Sequence, residues 1–141
     1  SMTGRTHLVQ FQGNLNAARY VAEILTPHVL PVMENPIAIF QQDIARPYTS
    51  RATMRFLEDN DIQVLEWPSR SLDINPIEHL WDELDRRVHR RAAPPETMDA
   101  LAQALQGEWT AIPGEFIQNL IGSMGHRCQA VIDFNGGHTR Y

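Results

Sequence analysis

The apolar run Ile37-Ala38-Ile39-Phe40 is the strongest constraint on how this chain can fold. Pro36 before it and Pro47 after it fix their own φ angles, offer no N–H and bound the run, which favours a strand over a helix. A short apolar run between breakers reads as a buried strand, here over residues 37–42. It closes on Asp43. A carboxylate at the end of a buried strand is costly unless it is paired, hydrated or bound to a metal. Arg46 is its simplest partner within the chain.

Two more segments share the strand signal. Residues 7–12 alternate through Leu8, Val9 and Phe11, and residues 62–65 form a further short apolar run. The other apolar positions repeat at helical spacing. After Gly13, Asn14 or Asn16 caps a helix over 17–25 with Tyr20, Val21, Ile24 and Leu25 on one face, which Pro27 and Pro31 kink or restart. Thr49 or Ser50 caps a helix to Asp59, and residues 68–75 form a loop in which Asp73 is a turn residue. Asn75-Pro76 opens the best-defined helix, with Ile77, Leu80, Trp81, Leu84 and Val88 on its buried face. Helices over 97–109, 113–124 and 127–134 follow, and Gly136-Gly137 ends the last. This order predicts an α/β fold: a roughly three-stranded sheet with flanking helices and a helical C-terminal layer.

With 141 residues the chain reads as a single domain, 1–141, large enough for a core. No run of 18 apolar residues is present, so no membrane span is expected. Cys128 stands alone, which leaves no internal disulfide and no Cys-based zinc site. The formal net charge is −5, and every basic residue is Arg. Arg86, Arg87, Arg90 and Arg91 form a cluster beside Asp82, Glu83 and Asp85. On charge alone, DNA binding should be weak.

Asp43 and Glu78 are the candidate chemistry. A carboxylate ending a strand and another on a helix can converge on one divalent cation, because Mg²⁺ takes oxygen ligands and keeps the rest of its shell for water and phosphate. Two such ions flanking a phosphate activate the attacking oxygen and stabilise the leaving one. Both acids also have plainer readings. Glu78 follows Asn75 by three residues, as in a capping box, and suits the positive end of a helix. Asp43 could pair with Arg46, and the arginine run could be a solvated helix end. His79 and Glu83 have the spacing of a metal pair, although a solvated face explains them as well.

Several words of this sequence resemble the catalytic domain of the Tc/mariner superfamily of DNA transposases. Phe40-Gln41-Gln42-Asp43-Ile44-Ala45-Arg46-Pro47-Tyr48-Thr49 resembles the family's second-aspartate motif. Trp67-Pro68 through Asp73-Ile74-Asn75-Pro76-Ile77-Glu78-His79-Leu80-Trp81 resembles its glutamate motif, at the family's interval of 34 intervening residues. The Gly13–Tyr20 segment and the ending Gly136-Gly137-His138-Thr139-Arg140-Tyr141 fit as well. Ile44 and Tyr48 depart from the pattern, standing where the family usually has Asn and His.

The resemblance implies a ribonuclease-H-like fold with sheet order 3-2-1-4-5, residues 7–12 being the third strand. By it, Asp43 and Glu78 are the second and third acids of an Asp–Asp–Glu triad that holds Mg²⁺ or Mn²⁺, and Arg46, Arg86, Arg87 and Arg90 face DNA. No Asp precedes Asp43, so the first acid and the first two strands are expected to lie outside this chain. A homodimer that fills the resulting gap, and a nuclear location, are further expectations. Two functions stay open: an inactive, self-associating remnant or domesticated module, or a metal-dependent DNA nuclease and strand transferase completed by an acid from upstream sequence or another chain.

Overall fold

The computed structural model describes residues 5–35, 37–65 and 75–133, and the chain divides into two compact units, Val9–Arg70 and Ser1–Leu8 with Ser71–Tyr141. In the first unit, Gly13 turns the chain at φ +76°, and the Asn16 side chain accepts from Arg19 N–H to cap α1 (Ala17–Arg19). The helix then widens. Pro27 has no N–H to donate, and the segment Tyr20–Val29 around it is wound as a π-helix. Leu30 N–H reaches Leu25 C=O, and the Thr26 hydroxyl donates to Val21 C=O at 2.8 Å, both five residues back. A 3₁₀ turn, Leu30–Val32, follows.

Beyond residues 38–45, which join one backbone bridge at Phe40, come α2 (Arg46–Thr49) and α3 (Arg51–Asp59). Ser50 caps α3 by accepting from Thr53 N–H at 3.2 Å, while the fully buried Thr53 donates its hydroxyl to Pro47 C=O at 2.6 Å. After α3 the chain reverses at Asp61, which holds φ 53°; short polar side chains tolerate that region better than other non-glycine residues. Tyr20, Leu25, Leu57 and Ile62 form this unit's core, with Phe40, Tyr48 and Val64 packed on it.

The expected three-stranded sheet does not form: no β-strand occurs among the described residues. Residues 37–42 and 62–65 meet in one parallel bridge, Phe40 with Val64. Phe40 N–H donates to Gln63 C=O and Leu65 N–H to Phe40 C=O, both at 2.8 Å. Local bonds compete with pairing at both ends. Asn35 takes Ile37 N–H on its side chain and Ala38 N–H on its carbonyl, and Asp43 Oδ1 takes Ala45 N–H. Residues 7–12 have no strand partner among the described residues. Leu8 instead packs into the core of the second unit.

In that second unit the helices follow the sequence pattern closely. Asn75 caps α4 (Pro76–His89), and Thr97 caps α5 (Met98–Ala111). The helices α6 (Gly114–Gly122) and α7 (Met124–Asp133) complete it. Leu80, Leu84, Trp109, Ile112 and Ile117 are buried together, supported by Ile77, Leu105 and Phe116. Residues 5 and 6 strap across the end of α5. Arg5 donates to Thr110 C=O and Ile112 C=O, where a cation suits the negative end of the helix, and the Trp109 indole donates to Thr6 C=O at 3.0 Å. The stretch 66–74, which carries Asp73 and half of the glutamate motif, lies outside the described residues, as do Phe134 and the Gly136-Gly137 ending. No described helix is long and apolar enough to cross a membrane.

Candidate functional site

Asp43 and Glu78 belong to different units, and each has its own setting. Asp43 is exposed, not buried at a strand end. Its Oδ1 accepts from Ala45 N–H at 2.9 Å, a turn built by the side chain onto its own backbone two residues ahead. Arg46 opens α2, also exposed, and forms no ion pair with Asp43.

The residue before Asp43 points the other way. Gln42 accepts from the Tyr20 hydroxyl and donates its amide N–H to Tyr48 C=O, each at 3.3 Å. The rings of Tyr20 and Tyr48 lie 4.5 Å apart, tilted by 48°. Burial pushes the Tyr20 phenol well above its usual range, with Tyr48 and the Asp43 charge adding to the rise. Burial and then Asp43 raise Tyr48 in the same sense. Both phenols are therefore neutral donors at physiological pH. Sequence reasoning had Tyr20 as a core residue and assigned nothing to Gln42.

Glu78 is the third residue of α4, half-buried in its first turn. Asn75 Oδ1 accepts from Ile77 N–H at 3.3 Å, and Asn75 C=O from Glu78 N–H at 3.2 Å. The acid thus stands where the helix dipole favours negative charge. Further along α4, Glu83 is drawn onto arginines, 2.8 Å from Arg87 and 3.2 Å from Arg86, and is not paired with His79. Arg91 holds Glu108 at 2.7 Å. Arg90, exposed at the C-cap, forms no ion pair with a described acid. Of the four clustered arginines, three are paired with two carboxylates, Arg86 and Arg87 sharing Glu83 and Arg91 holding Glu108.

The divalent metal that the resemblance implies calls for oxygen ligands. Asp43 and Glu78 are hard oxygen donors of the kind Mg²⁺ and Mn²⁺ prefer, and Asp43 faces solvent with Oδ1 engaged by an N–H and no ion pair to a described residue. The donor chemistry fits. Among the described residues, no group of three or more His, Cys, Asp or Glu side chains is arranged to hold an ion.

No family model matches the chain. It is 46% identical over 103 residues to the Tc1 transposase of Caenorhabditis elegans, a match covering 73% of this chain and 37% of that protein. The Tc3 transposase of the same organism is 35% identical over 102 residues, covering 72% and 31%. This chain thus spans about a third of the length of the relatives it matches. Among solved structures, the Mos1 transposase catalytic domain with raltegravir and Mg superposes with a TM-score of 0.77 at 20% identity, covering 91% of this chain and 67% of that one. The Mos1 strand transfer complex gives 0.76 at 22% identity, covering 91% and 38%. At such identities the likeness concerns fold: the chain follows the ribonuclease-H-like path of those domains, although its described residues form no strand.

Proposed function

The chain belongs to the Tc/mariner superfamily of DNA transposases, as part of its DDE catalytic domain, and from that membership we propose that it is a transposition-lineage module that does not cut DNA by itself. Asp43 and Glu78 are the two family acids it contributes. In the lineage, bound Mg²⁺ or Mn²⁺ activates the attacking oxygen and stabilises the leaving one. Here Asp43 offers an exposed carboxylate held by Ala45 N–H, and Glu78 offers one at a helix N-terminus. Two acids do not make a set of three, and no Asp stands before Asp43 in the 141 residues.

Contacts to DNA fall to Arg46 and Arg90, with Arg86 and Arg87 weakened by Glu83. The net charge of −5 keeps that affinity low. Self-association into a homodimer is supported by the exposed Ile37, Ile39 and Ile44 beside a single backbone bridge, since bare apolar edges recruit other strands. A nuclear location follows from the lineage.

One observation keeps a second reading open. Asp43 is already oriented and is in no ion pair with a described residue, so an acid supplied by upstream sequence or another chain would give a metal-dependent nuclease and strand transferase. A supercoiled-plasmid nicking assay in Mg²⁺ and Mn²⁺ separates the two. The expected result is no nicking above that of Asp43→Ala and Glu78→Ala. Cleavage lost in both variants would establish the nuclease instead.

A further inference from the structure

We propose that Gln42 is a positioning residue for Asp43: its side chain, clamped between the Tyr20 hydroxyl and the Tyr48 carbonyl, anchors the start of the Asp43 turn and closes the loop that holds it. The inference rests on Asp43 being a metal-binding acid of this lineage.

The geometry begins with the backbone. Successive residues of an extended segment point to opposite faces. Exposure alternates over the first part of this one: Ile37 is 84% exposed, Ala38 is half-buried, Ile39 is 52% exposed and Phe40 packs on the core. Gln41 and Gln42 are then both half-buried, and Asp43 and Ile44 both exposed. Gln42 is thus the last partly buried residue before the exposed Asp43, and what holds it anchors the start of the Asp43 turn.

Two hydrogen bonds fix it. The Tyr20 hydroxyl, on the π-helix, donates to Gln42 Oε1 at 3.3 Å, and Gln42 Nε2 donates to Tyr48 C=O, in α2, at 3.3 Å. The second bond spans residues 43–47, so Asp43 and its Ala45 turn lie inside a ring closed by the Gln42 side chain. The tilted contact of the Tyr20 and Tyr48 rings braces both ends of the clamp.

The residue type follows from the partners. Position 42 must accept from a hydroxyl and donate to a carbonyl, which a carboxamide does with one group. An ionised Glu has no donor for Tyr48 C=O. Met has the length and neither capability, leaving a phenol and a carbonyl without their bonds.

The test uses the whole chain and the variants Gln42→Met, Gln42→Glu and Tyr20→Phe, with circular dichroism to check folding. Amide exchange at Ala45 reports the Asp43 side-chain bond without any metal. Folded Gln42→Met should exchange Ala45 about fivefold to tenfold faster than wild type, the range expected for losing one or two modest hydrogen bonds. Gln42→Glu and Tyr20→Phe, each losing one bond, should fall between. If Gln42→Met does not fold, those two milder variants carry the result. Ala45 exchange unchanged in the folded variants overturns the proposal. Mn²⁺ titration then reads the consequence: affinity falls in Gln42→Met in the same direction as in Asp43→Ala. Faster Ala45 exchange in a chain whose wild type binds no Mn²⁺ supports the clamp and counts against the metal reading of Asp43.

Discussion

Trp81 stacks on Trp109 with ring centroids 5.4 Å apart and planes within 24°, and the two indoles differ sharply in burial, 41% against 6% exposed. Trp109 also donates to Thr6 C=O and lies beneath the Arg5 guanidinium at 6.0 Å. Trp109→Ala should therefore cost about 3–5 kcal/mol, the range for emptying an aromatic site in a core. Trp81→Ala should cost about 1 kcal/mol, mainly the stacking contribution. Urea unfolding of the two variants checks the order, and equal losses would contradict it.

Asp61 ends the turn after α3 with φ 53°. A Cβ there meets the strain that disfavours left-handed backbone, relieved in part by a short polar side chain. Asp61→Ala should lower stability by about 1 kcal/mol, with Asp61→Gly equal to or above wild type. Thermal melts of both variants measure this.

Tyr20 sets the alkaline limit of stability. Its folded pKa is raised above the ordinary 10.0, first by burial. The stability linked to it is complete below the unfolded pKa and is lost as pH rises through that value towards the folded one, because only the unfolded phenol ionises there. Unfolding free energy should fall above about pH 10, and Tyr20→Phe should flatten that fall while lowering stability at neutral pH. Denaturant curves at neutral and alkaline pH decide it.

Self-association is read directly by size-exclusion chromatography with light scattering. Wild type at micromolar concentration should run as a dimer. Ile39→Lys, placing a charge on the 52% exposed apolar edge, should run as a monomer, as edge lysines do in natural sheets. A monomeric wild type ends the dimer proposal.

DNA contacts should be unequal among the arginines. Arg90 is exposed and forms no ion pair with a described acid, whereas Arg87 is held 2.8 Å from Glu83. Arg90→Ala should reduce the slope of log affinity against log salt by about 0.9, one phosphate contact. Arg87→Ala should leave the slope nearly unchanged. Fluorescence anisotropy titrations over a salt series supply both slopes.

Helix boundaries were legible in the sequence because their signals are local. Asn16, Ser50 and Asn75 each accept from the N–H groups of the helix they precede, and of the residues whose spacing marked the buried face of α4, Leu80, Leu84 and Val88 are buried whereas Trp81 is 41% exposed. Strands were not legible to the same degree. An apolar run becomes a strand only when another segment meets its backbone, and Phe40 met Val64 while Asn35 and Asp43 drew the flanking N–H groups onto themselves. Asp43 and Glu78 were legible as acids of a family pattern. The exposure of Asp43, its bond to Ala45 and the Gln42 clamp depend on contacts 20 or more residues away in part, as with Tyr20 and Gln42, 22 positions apart. The π-helix could be read only as a kink at Pro27, since a proline announces a lost donor without saying how the turn will widen.

The strap formed by Arg5 and Thr6 has a consequence for biosynthesis. Its partners lie 103 to 107 positions downstream, so these residues stay unplaced until translation has passed Ile112. Docking of the strap onto the end of α5 is consequently a late, non-local event, of the kind that slows folding, whereas α4 and α5 can pack without it.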